Sequence, residues 1–139
     1  MSEIKNMYLP SIEIFKNLKD YIQENASAEV YVSRNKVIGK FPLVVFEEAR
    51  NELDTKSTTY DNTTRTLNYN INIYCNHRVD NFELCSEIAT LITQVMQGYY
   101  KMSGGVIATI PTYDDANKTS YQINMRFTSR FIPSKNKLF

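Results

Sequence analysis

Apolar residues along this chain fall into two spacings that follow one another in blocks. From Pro10 to about Asn25, Ile12, Phe15, Leu18 and Ile22 recur every three or four positions, and Ile14 and Tyr21 widen the stripe. That is the period of an amphipathic helix, with Lys16, Asn17, Lys19, Asp20, Gln23 and Glu24 on its wet side. Pro10 suits a first helical turn and Ser11 suits a cap. Residues 1–10 before it read as a short extended arm. Glu29-Val30-Tyr31-Val32 is a short β-type run, and residues 34–41 form a polar turn region. The apolar run Phe41-Pro42-Leu43-Val44-Val45-Phe46 predicts a strand buried on both faces, with Pro42 at its first position, where a missing N–H is tolerated.

Residues 47–64 read as a long polar loop, charged from Glu47 to Asp54 and rich in Thr, Ser, Asn and Asp from Thr55 to Thr64. Loops of that length inside a compact domain are usually functional. From Arg65 to Cys75 the period becomes two. Leu67, Tyr69, Ile71, Ile73 and Cys75 share one side; Asn68, Asn70, Asn72 and Tyr74 share the other. Residues 76–80 turn the chain.

Asp80-Asn81-Phe82-Glu83 reads as a capping box with Val79 and Leu84 at staple positions. Phe82, Cys85, Ile88, Ala89, Ile92, Val95, Met96 and Tyr99 then form a helical stripe that ends near Gly98 to Lys101. Gly104-Gly105 is expected to turn the chain into a short strand, Val106 to Ile110, closed by Pro111. Thr119 to Ile132 predicts a long strand, with Tyr121, Ile123, Met125, Phe127 and Ser129 facing one way. Gln122, Asn124, Arg126, Thr128 and Arg130 face the other, and Pro133 stops it. Residues 133–139 are a tail. The order is α-β-β-β-α-β-β, without repeat or linker. Both helices need sheet to cover, so the pattern predicts an α+β fold: one two-layer domain across 1–139, with a mixed or antiparallel sheet and two packed helices.

Composition narrows the function classes. The chain has 139 residues, 16 Lys+Arg against 15 Asp+Glu, and a formal net charge of +1. That length fits one domain. The charge balance argues against binding through a broad basic face, and no sequence-specific nucleic-acid reading is expected. No apolar run approaches the ~20 residues a membrane span needs, and the N-terminus carries no secretory pattern. The sequons at Asn25, Asn62 and Asn117 are therefore taken as chance matches.

The chemistry-bearing residues are few. Cys75 and Cys85 lack a CxxC spacing and each falls on an apolar face. They read as two small buried side chains, with a disulfide or a metal site as the alternatives. His77 is the single histidine, and in a turn beside Arg78 and Asp80 it reads as solvated. No nucleophile, phosphate-loop or zinc-protease motif occurs. Glu47-Glu48 and Asp114-Asp115 read as solvated acidic pairs, without EF-hand spacing or a nearby His. No catalytic residue, metal or cofactor is expected. The unusual feature is the polarity of two strand faces. Asn is a poor strand former, so Asn68, Asn70 and Asn72, with Gln122, Asn124 and Arg126, suggest a face that meets something polar: solvent first, or else a hydrogen-bonding subunit interface or a wet channel wall.

The apolar run from Phe41 to Phe46 followed by Glu47-Glu48, the polar loop, the strand Leu67-Asn-Tyr-Asn-Ile-Asn-Ile-Tyr-Cys, the amphipathic helix Glu83 to Tyr99, and Pro111-Thr-Tyr-Asp-Asp before a long strand together resemble a tailed-phage tail terminator. Such proteins are also called tail completion or head-to-tail joining proteins. The resemblance covers roughly residues 10–132 and rests on hydrophobicity and loop position. It implies a non-catalytic virion protein of the tail or neck, assembled in the host cytoplasm. It also implies a homohexameric ring that caps the tail tube and presents its other face to the head connector or stopper. A head-tail connector of another kind, a minor capsid protein or a tube subunit shares the pattern. A small ligand-binding or hydrolytic domain is the alternative from another class. Under the resemblance, Glu47, Glu48, Arg50, Glu52, Asp54 and Lys56 become candidates for inter-subunit pairs. Asn68, Asn70, Asn72 and Arg126 become candidates for a subunit interface or a lumen wall.

Overall fold

A computed structural model describes residues 10–35, 41–53, 65–76, 79–113, 119–132 and 137–138. The elements run α1 (Pro10–Asn25), β1 (Tyr31–Ser33), β2 (Leu43–Leu53), β3 (Arg65–Cys75), α2 (Val79–Thr93), a π-helical segment (Gln94–Tyr99), β4 (Ser103–Tyr113), β5 (Thr119–Ile132) and β6 (Lys137–Leu138). The fold is α+β in two layers, as the alternation of periods predicts. The sheet order is β1-β2-β3-β5-β4, with β6 also on β5. β1 lies parallel to β2, and all other pairs are antiparallel.

The core forms where the period-two and period-3.6 faces meet. Leu67, Tyr69, Ile71, Ile73 and Cys75 from β3, Ile123, Met125 and Phe127 from β5, and Val44 and Phe46 from β2 pack under Ile14, Leu18 and Ile22 of α1 and Cys85, Ile88 and Ile92 of α2. Phe46 is the hinge of an aromatic row, with its ring centroid 5.6 Å from Phe15 and 5.1 Å from Tyr69. Leu43 and Val45 are also buried but stand outside this cluster. The run Leu43 to Phe46 is thus buried on both faces, and the bounds of β3 and β5 match the expected strands.

Several expectations change. The α1 face is rotated: Ser11, Ile14, Leu18 and Ile22 point inward, while Ile12 is 44% exposed. Asn17, expected on the wet side, donates a 2.8 Å hydrogen bond to the Tyr100 hydroxyl. Residues Glu47 to Leu53 are not loop but the second half of β2, paired with Arg65 to Tyr69 through Asn70 across a bulge at Ala49. Pairing with the strongly specified β3 extends the strand through a sequence whose side chains alone favour solvent. Gly104-Gly105 does not make the turn either. The chain reverses at Tyr100–Met102, where Lys101 has φ 58°, and both glycines lie within β4. Pro111 sits inside that strand and does not close it, which an edge strand permits. The tail contains the two-residue β6. α2 starts at Val79, ahead of the expected cap at Asp80.

Cys75 and Cys85 form a disulfide, with Cα atoms 6.3 Å apart. The expectation of two separate thiols is corrected. Both apolar faces were read as buried, and both are, but the end of β3 and the first turns of α2 press the same two side chains together.

Candidate functional site

Both helices lie on one face of the sheet, and the polar residues gather on the other. The pairing register sets them in rows. Glu47 lies opposite Asn70, which lies opposite Arg126, which lies opposite Gly105. The next row is Arg50, Asn68, Thr128 and Ser103; on the other side lies Val45, Asn72, Asn124 and Ala108. Strand alternation is the cause: β3 and β5 each bury one side under the helices and must turn the intervening residues away.

Hydrogen bonds tie this face together. The Arg126 Nε donates to Asn70 Oδ1 at 3.3 Å across the β3–β5 pair. Gln122 Nε2 donates to Asn124 Oδ1 at 2.8 Å along β5. Asn68, Asn70 and Asn72 are half-buried, and Glu47, Arg50 and Arg126 are exposed. The amides therefore form a half-buried floor from which a few exposed charges of both signs rise.

Of the sequence candidates, Glu47, Arg50, Asn68, Asn70, Asn72 and Arg126 come together here. Glu52 pairs in register with Thr66 at the far end of β2. Asp54 and Lys56 lie outside the described residues, as do His77, Asp114 and Asp115. Glu48 separates from the group. Alternation from Val44 and Phe46 sets it opposite Tyr69, on the helix side, and the bulge at Ala49 then returns Arg50 to the face of Glu47.

There Glu48 belongs to a different cluster, which the sequence did not reveal. The Ser11 hydroxyl donates to the Glu48 carboxylate and lies 2.9 Å from the Tyr69 hydroxyl. Ser11 and Tyr69 are fully buried. Burial pushes the Tyr69 phenol well above its ordinary range; its hydrogen bond with Ser11 opposes that, and the Glu48 charge adds to it. Tyr100, half of the pair with Asn17, is also raised, first by burial. Ser11, Glu48 and Tyr69 fasten α1 to the sheet, and Asn17 fastens it to the turn at Tyr100. The signal that foretells them is a Ser at the helical position that extends Ile14, Leu18 and Ile22 one turn back.

A second feature lies at the β4 side. Ala89, Thr90, Thr93, Gln94, Gln97, Gly98 and Val106 line an open groove of about 570 Å³ between α2, the π-helical segment and β4. The Gln97 side-chain amide donates to the Gly104 carbonyl, bridging the groove floor. Along β4, Val106, Ile107 and Ile110 are 52%, 56% and 43% exposed. Among the described residues no three His, Cys, Asp or Glu side chains gather as a metal site would need. No helix is long and apolar enough to cross a membrane.

No family model matches the chain, and no curated protein matches it. Among solved structures it is similar to a chain from the virion of a native gene transfer agent particle, at 7% identity and a TM-score of 0.43, over 84% of this chain and 89% of that one.

Proposed function

We propose that this chain is a virion structural subunit of the tail-terminator kind, which assembles into a closed ring, a hexamer by the sequence resemblance, that caps the tail tube and meets the head connector. The observation that carries this reading is the sheet face without helices. It gathers Glu47, Arg50, Asn68, Asn70, Asn72 and Arg126 on one rigid surface. A face of amides with scattered charges of both signs suits contact with another protein surface: it offers donors and acceptors without a single-sign field. A heterologous contact that closes into a ring leaves no open end, which is the property a terminator needs.

The experiment is native mass measurement of the purified protein, alone and with the tail-tube protein, for the wild type and for Arg50→Glu with Arg126→Glu. A discrete ring that weakens in the double variant, while the melting temperature holds, supports the reading. Open-ended filaments would favour a tube subunit instead. A strict monomer both alone and on the tube overturns the proposal.

A further inference from the structure

The two ends of the sheet differ from its middle in one respect: their outer backbone groups face outward. Among the described residues, β4 at one end pairs only with β5. At the other, β1 covers just Leu43 to Val45 of β2, and β2 runs on through Leu53 as the terminal strand. A terminal strand of this kind is a template for another chain's strand. We infer that copies of this chain join by strand pairing, β4 of one copy beside the second half of β2 of the next. This inference rests on the ring reading above and names the contact that would build it.

Strand direction favours that pairing. β2 and β3 are antiparallel, as are β3 and β5, and β5 and β4. Hence β4 runs opposite to β2. A rotation about an axis along the strands keeps every strand's direction, so it sets β4 of one copy antiparallel to β2 of the next. The same rotation keeps the helices of all copies on one side of the continued sheet, and the polar face on the other.

The self-pairings are worse. β2 beside another β2 would bring Glu47, Glu48 and Glu52 of two copies onto neighbouring strands with one Arg50 on each to offset them, and like charges opposite one another destabilise a sheet. β4 beside another β4 would meet two interruptions twice, the bulge at Ile107 and the missing N–H of Pro111. In the mixed pairing they occur once. Ser103 to Tyr113 holds no charged residue, so β4 can lie beside the acidic strand without repulsion. Its exposed Val106, Ile107 and Ile110 would lose water in the same step.

Thr109→Pro tests the contact. Pro111 pairs in register with Tyr121 without an N–H to give, so its nitrogen is on the outer side. Thr109, two residues earlier, directs its N–H the same way. Replacing it removes an outward donor and spares the bonds to β5. Ile107→Glu is a second variant that leaves the backbone intact and sets an acid beside the acidic strand. Native mass over a concentration series, with hydrogen exchange on ring and monomer, reads the result. Slowed exchange in both 103–113 and 46–53 on assembly, with roughly tenfold weaker assembly in each variant at unchanged melting temperature, supports the pairing. A ring that forms equally well in both variants, or whose slowed amides lie elsewhere, overturns the strand contact and leaves the ring reading standing. A wild type that makes no ring, alone or with the tube protein, overturns both.

Discussion

Ser11 and Tyr69 show how two hydroxyls are carried into an apolar core, with the exposed Glu48 carboxylate at its edge. Each hydroxyl has a partner there, which is the condition for burying one at modest cost. Ser11→Ala leaves the Tyr69 hydroxyl without that partner and is expected to cost about 1–3 kcal/mol in chemical denaturation. Adding Tyr69→Phe should recover part of the loss, since it removes the stranded group. The raised pKa values of Tyr69 and Tyr100 give stability a pH dependence with a definite sign. Both native values lie above the ordinary 10.0, so the neutral phenols contribute stability that is complete below that pH and lost as pH climbs past it. A melting series through the alkaline range should fall there, less steeply in Tyr69→Phe. Gly104 makes a third demand. Its φ is +136°, and an added Cβ would stand 1.9 Å from the Arg126 carbonyl oxygen. Gly104→Ala therefore forces strain and a shift of β4 from β5, costing more than about 2 kcal/mol in equilibrium unfolding.

Elements in this fold are joined by contacts that no single element announces. The Cys75–Cys85 bridge ties the end of β3 to α2. A closed loop that short is worth about 2–3 kcal/mol through the unfolded chain. Reductant should lower the wild-type melting temperature and leave a Cys75→Ala, Cys85→Ala double variant unmoved. Ser27 performs a similar office after α1, donating through its N–H and its hydroxyl to Glu87 of α2, at 3.0 and 2.7 Å. The π-helical segment ends the second helix by a wider turn, with the Tyr100 N–H bonded to the Val95 carbonyl and the Met102 N–H to the Met96 carbonyl. That turn buries Tyr100 and Met102 and aims the chain into β4. The hydrophobic stripe marked where this helix would stop. It held no sign of the wider turn, which depends on where β4 must begin.

The described residues form a sheet with both helices on one side. Its open face has charges at Glu47, Arg50 and Arg126, held in solvent where salt can reach them. Assembly through that face should weaken when salt rises from about 0.1 M to about 1 M, as the Debye length falls from about 10 Å to about 3 Å. Native mass at the two concentrations checks this. Backbone pairing at the sheet ends is less sensitive to salt, so a ring held by strand pairing should persist at the concentration where contacts of its polar face loosen.

Periodicity in the chain was enough to place β3, β5, most of both helices and the layer that each apolar face would join. It did so because burial acts on every second or every third-to-fourth side chain, and that selection is written locally. It also separated Asn68, Asn70, Asn72 and Arg126 from the core, since alternation allows no other side. Three matters waited on the fold. The second half of β2 looks like loop because its side chains are charged, yet strand pairing is a backbone bond that charge does not forbid. Arg50 joins Glu47 and not Glu48 because a one-residue bulge at Ala49 changes the face, and bulges leave little trace in composition. Cys75 meets Cys85, and Ser11 meets Tyr69, because β3, α1 and α2 converge over one core. Distance between residues far apart in sequence is a property of that convergence, not of either segment alone.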